Sequence, residues 1–228
     1  MGSMRPPPSV PPPSMGGLRS ALSELPLFPL PNTVLFPGGL LPLHVFEPRY
    51  VAMTRHAIAT HRTIAIVQLV SGDLDRYGQV PIAGVAGAGT IVEHREMPDG
   101  RFNLLLRGEA RVEINELPFL PPFRRAVAEI MVDEPGGVTR EDATALLAVA
   151  GAFAAKVRQR DGEFDFRVPT NASPEKAVDL VAHYLVIDGD ARQELLEMRD
   201  VKQRTQRAME IISQQQTSMH GHVPPSVN

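Results

Sequence analysis

The chain contains 228 residues, of which 43% are hydrophobic and 21% charged, a balance typical of a globular protein of one or two domains. Its 23 Lys and Arg residues against 26 Asp and Glu give a net charge of −3, which argues against the basic surface that nucleic-acid binding usually requires. The absence of Cys excludes disulfides and a cysteine nucleophile, and no apolar run is long enough to span a membrane. We therefore expect a cytoplasmic protein.

The amino-terminal segment is predicted to lack regular structure. Residues 1–23 are rich in Pro, Gly and Ser, so they bury too little apolar surface to offset the entropy lost on ordering the chain. The run PPPSVPPP within this segment is either a polyproline ligand or a plain linker, and its composition favours the linker. We expect residues 1–23 to form a disordered, Pro-rich tail.

Residues 24–134 carry the pattern of a β subdomain with one helix. Strand-like runs occupy residues 63–70, 90–96, 101–107, 110–115 and 123–132. The first run is continuously apolar, which predicts burial on both faces. The turn sequence MPDG at residues 97–100 predicts an antiparallel hairpin, and three glycines within residues 84–89 favour a small closed barrel or a strongly coiled antiparallel sheet. Pro48 is placed to open a helix that runs down to His61.

After a Pro-Gly-Gly break the hydrophobic period changes from two to 3.6 residues, so residues 135–214 are predicted to form a helical subdomain. Thr139 with Asp142 resembles a capping box at the start of a helix of about 20 residues. Further helix starts are predicted at Ser173, Asp190 and Asp200. Residues 215–228 are polar and are expected to fray. Strands followed by helices predict the α+β class.

The common catalytic motifs are missing from the sequence. It has no phosphate-binding G-x-x-x-x-G-K-[ST] loop, no G-x-S-x-G nucleophile turn and no H-E-x-x-H helix. Among the seven His residues, His56 and His61 diverge on the predicted helix and the others lie in separate elements, so no metal site is expected. We expect no catalytic residue and no cofactor, and hence a protein that is not an enzyme.

The sequence resembles a known family from residue 25 onward. The first motifs are LPLFPL at residues 25–30, VLFPG at residues 34–38 and LHVFEPRY at residues 43–50. Further motifs are VAGAGTIV at residues 85–92, PDGR and LLLRG within residues 98–108, and RQELLE and DV within residues 192–201. In this order, the motifs are similar to those of the N-terminal substrate-binding domain of Lon proteases, in its stand-alone bacterial form, over residues 25 to 213.

The resemblance implies a PUA-like β-barrel subdomain followed by a C-terminal helical bundle. It also implies a non-catalytic module, or an adaptor for proteolysis, that recognises unfolded or damaged polypeptides. It does not imply proteolysis, because in Lon an ATPase module and a Ser–Lys protease module follow this domain, and this sequence ends before either would begin. The expected partners are unfolded or damaged polypeptides and a protease, with no membrane and no nucleic acid.

The segment after Phe36 is the predicted peptide-binding site. Its apolar density, in a stretch broken by Gly and Pro, suits the capture of exposed hydrophobic side chains. The candidate residues are Leu40, Leu41, Leu43, Val45, Phe46, Glu47, Arg49 and Tyr50. Alternatively, the leucines belong to the core, and Glu47 and Arg49 form a helix cap and a surface ion pair. A sheet edge that accepts an extended peptide is a second docking mode.

RNA binding is the alternative function, because PUA-like barrels in other proteins hold RNA. Arg101, Arg107 and Arg111 lie on strand faces where they could form a local basic patch. The net acidity and the aromatic content of 5%, without any Trp, argue against this alternative, because RNA-binding surfaces use basic and stacking side chains.

Overall fold

The computed structural model describes residues 15–134 and 136–219, so the outer parts of both predicted tails lie outside the described residues. The strands are β1 (Leu25–Leu30), β2 (Leu40–Val45), β3 (Thr63–Gln68), β4 (Val85–Glu96), β5 (Phe102–Glu116) and β6 (Arg125–Ile130). The helices are α1 (Met15–Ala21), α2 (Pro48–Ala59), α3 (Arg140–Arg160), α4 (Pro174–Leu185), α5 (Gly189–Glu197) and α6 (Val201–Ser218). The protein is therefore α+β, as predicted.

The six strands form one sheet in the order β2-β5-β4-β3-β1-β6. β5 also pairs with β6, the last strand in this order. The successive pairings from β5 through β4, β3, β1 and β6 therefore lead back to β5. β1 runs parallel to β3, with Leu27 opposite Ala65, whereas the other strand pairs are antiparallel. The predicted antiparallel sheet is wrong at this pair, because β2 and α2 make the connection long enough for a crossover.

The hairpin predicted at residues 97–100 is present, but its strands are longer than predicted. β4 has 12 residues and β5 has 15, so residues 110–115 continue β5 instead of forming a separate third strand. Gly108 obscures this continuity in the sequence because it interrupts the alternation of apolar residues. A Cβ atom at Gly108 would overlap the carbonyl oxygen of Phe36, so the glycine permits a close approach between the two backbones.

Residues 15–21 form helix α1, so this part of the predicted disordered tail is wrong. Leu18 and Ala21 are buried in a cluster that includes Leu25 and Leu27 of β1. The cluster lies between α1 and the sheet, and its burial stabilises a helix that is too short to be stable alone. The Pro- and Gly-rich composition gave no sign of this packing, because the partner surface is built by distant strands.

β3 is buried along its whole length, which confirms the prediction of burial on both faces. Ile64 and Ile66 belong to a core covered by α2, whereas Ala65 and Val67 belong to the core covered by α1. Alternate residues of a strand point to opposite faces of the sheet, so β3 contributes to two separate cores. The two covered faces explain why this run has no polar alternation.

Helix α2 begins at Pro48, as predicted, but it ends at Ala59 and not at His61. The chain turns after the helix, and the rings of His56 and His61 lie 6.1 Å apart instead of diverging. Within residues 15–134 and 136–219, no group of three or more His, Asp or Glu side chains is placed to hold a metal ion.

Side-chain caps define the starts of the helices after residue 138. At α3 the predicted capping box is confirmed, because the Thr139 hydroxyl accepts a hydrogen bond from the Asp142 N–H and the Asp142 carboxylate accepts one from the Thr139 N–H. The predicted starts at Ser173 and Asp200 are also confirmed, since each side chain caps its helix.

Two predictions about the later helices are wrong. Helix α5 is capped by Asp188 and not by Asp190, because the Asp188 carboxylate accepts a hydrogen bond of 2.8 Å from the Ala191 N–H. Helix α6 continues to Ser218, so the predicted fraying from residue 215 does not apply to its last turn.

The helices share an apolar core with the sheet part of the molecule. α3 packs against α4 and α6, and the same core contains Val34 and Phe36 from the loop between β1 and β2. This core is separate from the two cores of the sheet, and the segment before the predicted boundary near residue 134 contributes Val34 and Phe36 to it. Among the described residues, no helix combines the length and apolar character needed to cross a bilayer.

Candidate functional site

The predicted site residues on β2 divide between the two faces of the strand. Leu41, Leu43 and Val45 point into the core covered by α2, where Val45 is buried and the two leucines are partly buried. The alternative interpretation, in which these residues belong to the core, is therefore correct for these three side chains. Leu40, on the other face, is half-buried and lies opposite Arg107 of β5.

β2 is an edge strand that pairs with β5 alone among the described strands. The N–H of Leu40 donates to the Tyr184 hydroxyl at 3.1 Å, and its carbonyl oxygen lies 3.2 Å from Nε2 of His183. Burial lowers the pKa of His183, so its neutral ring donates through Nε2. The backbone groups of Leu40 therefore point away from β5 and are already bonded to α4.

Pro42 further limits the docking of an extended peptide on this edge. Along an edge strand, the backbone groups of successive residues point alternately toward the neighbouring strand and away from it. The backbone groups of Pro42 and His44 therefore point away from β5, as those of Leu40 do. Proline has no N–H, and the N–H of Leu40 is occupied, which leaves the N–H of His44 as the donor on this edge of β2 that has no partner among the described residues. Strand addition at β2 is therefore poorly supported by this edge.

The turn from β2 into α2 presents an aromatic side chain to solvent. Phe46 is 62% exposed, and its ring stacks on His44 with 6.1 Å between the ring centroids. Tyr50, in contrast, is buried against Phe28 at 4.4 Å, and burial raises the pKa of its hydroxyl. Of the candidate residues, Phe46 is the large apolar side chain that solvent reaches most fully.

Glu47 and Arg49 form the ion pair that the alternative interpretation predicts. Their side chains are 2.8 Å apart and about half exposed, and the Arg49 guanidinium lies 4.5 Å from the centre of the Tyr50 ring. Glu47 precedes the first residue of α2, but its side chain makes no capping hydrogen bond. An exposed pair of this kind contributes little to stability, so both groups are available to a partner.

A cleft that the sequence does not predict lies between the sheet and the helices. It encloses about 810 Å³. Its lining includes Pro37, Arg107, Ile130, Lys176, Leu180 and Tyr184. Because the walls come from segments separated by up to 147 positions in the chain, no local sequence pattern indicates them.

The surface of β2 leads from Phe46 to this cleft. On the sheet face opposite α2, the side chains of Leu40, Pro42 and His44 form a row along β2. Arg107, Leu105 and Asn103 of β5 lie beside them in the same order. The row ends at Leu40 and Arg107, next to Tyr184 on the cleft wall. An extended segment of about six residues would span the distance from Phe46 to the cleft, at roughly 3.3 Å per residue.

Four charged groups, three buried and one partly exposed, lie at the base of the cleft and join the sheet to the helices. The Arg111 guanidinium donates to the carbonyl oxygens of Leu196 and Met198 and pairs with Asp133. Arg204 is fully buried, donates to Asp133 at 2.9 Å, and forms an ion pair of 3.3 Å with Asp179. Two arginines therefore balance two carboxylates at the junction.

Asp179 is the acidic partner of Arg204 in this cluster. It is 4% exposed and lines the cleft, and its Oδ1 receives no hydrogen bond from the described residues. Burial raises the pKa of Asp179 to about 6, although Arg204 and Arg111 oppose the rise. The Arg204 guanidinium, 3.3 Å from Oδ1, is the charged partner that a buried carboxylate requires.

The three arginines of the predicted basic patch are not free cations. Each pairs with a carboxylate: Arg101 with Asp99, Arg107 with Glu109, and Arg111 with Asp133. Arg111 is also buried, so it presents no exposed charge. These pairings reduce the positive potential that an RNA backbone would meet on this face.

The fold and the cleft define an α+β protein whose sheet and helical parts meet at a site built from both. Residues 24–214 match the model of the family described as the ATP-dependent protease La (LON) substrate-binding domain, and the chain belongs to this family.

Relatives of known name support this assignment. The chain is 25% identical to the Lon protease of Anaeromyxobacter dehalogenans over 210 residues, which are 90% of this chain and 25% of the relative. It is 29% identical to Lon protease 2 of Herpetosiphon aurantiacus over 199 residues, which are 84% of this chain and 24% of the relative. The chain thus spans about a quarter of the length of these relatives.

Solved structures share the fold. The Lon N-terminal domain protein from Xanthomonas campestris has a TM-score of 0.58 and 22% identity, covering 82% of this chain and 97% of that chain. The N-terminal domain of the Mycobacterium avium complex Lon protease has a TM-score of 0.60 and 17% identity, covering 83% of this chain and 98% of that chain. The arrangement of sheet and helices is therefore that of Lon N-terminal domains.

Proposed function

We propose that this protein recognises unfolded or damaged polypeptides through their exposed apolar side chains, as a non-catalytic module or adaptor for proteolysis. The observation that carries the proposal is the match of residues 24–214 to the LON substrate-binding domain. On this proposal the protein binds, and a protease partner breaks the peptide bond.

The proposal extends to the finer features of the fold. The pairing of β5 with both β4 and β6 supports a small PUA-like barrel. The packing of α3 against α4 and α6 supports a helical bundle. A cytoplasmic location in a bacterium is part of the same proposal.

We assign polypeptide binding to the row from Phe46 to the cleft. Phe46 supplies exposed apolar area, the Glu47–Arg49 pair supplies polar edges, and Leu40 marks the entry to the cleft. Leu41, Leu43, Val45 and Tyr50, which the sequence also suggested, would act by holding β2 and α2 in place, since their side chains pack in the core.

The test measures the binding of a fluorescently labelled, permanently unfolded model protein by anisotropy. We expect micromolar affinity for the unmodified protein and a loss of at least fivefold in Phe46→Ser, because burying an aromatic side chain contributes on the order of 1–3 kcal/mol. Phe46 is exposed, so this variant should unfold at the same urea concentration as the unmodified protein.

The matched control is Ile187→Ser, which removes a side chain that is 67% exposed and lies outside the row. We expect it to bind like the unmodified protein. Absence of binding to several unfolded proteins would refute the proposed function, and equal losses in both variants would refute the assignment of the surface.

A further inference from the structure

Two loops at one end of the sheet expose a concentrated apolar surface. Residues 69–84 connect β3 to β4, and residues 117–124 connect β5 to β6. Of the ten large apolar side chains that are exposed among the described residues, five lie in these two loops. They are Val70, Leu74, Tyr77, Val80 and Leu120, which we call the two-loop patch. Exposed apolar side chains that cluster in this way mark an interaction surface, whereas scattered ones do not.

Direct contacts hold the two loops together. The Tyr77 ring lies 5.9 Å from the ring of Phe119, and the Arg124 guanidinium donates to the Val80 carbonyl oxygen at 2.7 Å. Within the first loop, the Asp75 carboxylate accepts a hydrogen bond of 2.8 Å from the Tyr77 N–H. The patch therefore has a defined shape before a partner binds, and a preorganised surface loses less conformational entropy on binding.

The first loop carries a cation and an anion that have no ionic partner. Asp73 and Arg76 are exposed, and neither side chain forms an ion pair within the residues that the structure describes. The Arg76 guanidinium lies 4.9 Å from the centre of the Tyr77 ring, so the cation borders the two-loop patch. A surface that carries both charges can be complementary to itself, because in a dimer with twofold symmetry Arg76 of each copy would face Asp73 of the other.

We propose that the two-loop patch is the interface at which two copies of this chain form a symmetric dimer. Its five apolar side chains are 37–64% exposed, which corresponds to about 500 Å² at roughly 200 Å² for each large side chain. The exposed residues Pro118, Pro121, Pro122, Asp73 and Arg76 extend this area toward the roughly 800 Å² that each partner buries in a standard interface. We therefore expect a dimer with a dissociation constant in the micromolar range.

The dimer would leave the polypeptide-binding row open. β5 runs from Phe102, which lies opposite Val45 of β2, to Glu116, where the second loop begins. The stretch of β5 from Arg107, at the end of the row, to Glu116 spans up to about 30 Å, at roughly 3.3 Å per residue. A second copy on the patch and a polypeptide on the row would thus not compete for the same surface.

Two other occupants fit the patch less well. An unfolded polypeptide has no fixed surface to match a patch of defined shape. RNA would meet the Asp73 carboxylate together with Arg76, the one basic residue of the first loop. A second copy supplies both a matching apolar area and the opposite charges.

Sedimentation velocity of the full chain between about 1 and about 300 µM gives the first test. We expect the sedimentation coefficient to rise with concentration from that of a monomer to that of a dimer. Leu120→Ser should weaken dimerisation at least tenfold, because each copy loses an exposed apolar side chain from the patch. The matched control is Ile187→Ser, which changes an exposed apolar side chain outside the patch and should dimerise like the unmodified protein.

A pair of charge reversals tests the symmetric contact. Arg76→Asp places two carboxylates at each contact and Asp73→Arg places two guanidinium groups there, so each variant alone should dimerise at least tenfold more weakly. In an equimolar mixture of the two variants, both contacts again join opposite charges. We expect a heterodimer whose affinity is within about threefold of that of the unmodified dimer. Both residues are exposed, and far-UV circular dichroism should show that both variants are folded.

A protein that stays monomeric at about 300 µM would overturn the inference. Undiminished dimerisation of Leu120→Ser, or a mixture of the charge variants without a heterodimer, would overturn it as well. If the protein stays monomeric and Leu120→Ser instead weakens binding of the labelled unfolded protein, the patch binds polypeptides and not a second copy. The proposed function is tested separately by Phe46→Ser, so it does not depend on these results.

Discussion

Replacing Arg204 by Met should remove a large part of the stability of this protein. The Arg204 side chain is fully buried, donates to Asp133 at 2.9 Å and to the Met198 carbonyl oxygen at 2.7 Å, and pairs with Asp179. Met replaces the apolar stem of the side chain but leaves the buried Asp179 and the partly exposed Asp133 with one guanidinium, that of Arg111. Breaking a buried ion pair from one side costs about 3–5 kcal/mol, a large share of the 5–15 kcal/mol that stabilises a typical domain.

A second substitution should recover part of this loss. Arg204→Met combined with Asp179→Leu leaves Arg111 and Asp133 as a balanced pair. We expect the double variant to be more stable than the sum of the two single changes predicts, by about 2 kcal/mol or more, because removing both charges avoids an unpaired ion. Urea unfolding at pH 7, followed by far-UV circular dichroism, measures the four free energies of the cycle.

Arg207→Met serves as the control on the same helix. Arg207 pairs with Glu194 and Glu210 at a partly exposed position, so its loss should change the free energy of unfolding by less than about 1 kcal/mol. A loss below about 1 kcal/mol in Arg204→Met, or additive losses in the cycle, would refute the view that four coupled charges join the sheet to the helices.

Three further substitutions have expected outcomes that differ in sign. The pKa of Asp179 is raised to about 6, so its contribution to stability is fully present below pH 4 and is lost as the pH rises through 6. In Asp179→Asn, the change in unfolding free energy between pH 4 and pH 7 should therefore differ from that of the unmodified protein by about 3 kcal/mol, measured by urea unfolding. Gly87→Ala should destabilise by about 3 kcal/mol or more, because its Cβ would overlap the Leu35 carbonyl oxygen, and thermal unfolding would detect this as a lower Tm. Gly151→Ala should instead increase the free energy of unfolding by about 0.5–1 kcal/mol, because the position lies within α3 and the added Cβ would meet no atom within 4 Å. Its Tm should therefore rise, and an unchanged or lower Tm would contradict this.

Features governed by neighbouring residues could be predicted from the sequence. The capping box of Thr139 and Asp142 and the hairpin turn at residues 97–100 depend on side chains and turns within four positions of each other. The burial of β3 also followed from its own composition, because a strand covered on both faces has no polar alternation. In each case the physical cause and the pattern occupy the same short stretch.

Features governed by distant segments were missed or assigned to the wrong residue. Alternation shows that Leu41, Leu43 and Val45 share a face of β2, but only the position of α2 shows that this face is covered. Asp188 and Asp190 both carry a side chain that suits an N-cap, and only the backbone at the start of α5 shows that Asp188, and not the predicted Asp190, caps it. The walls of the cleft come from segments between residue 37 and residue 184, whereas a sequence pattern relates only residues that are close together in the chain.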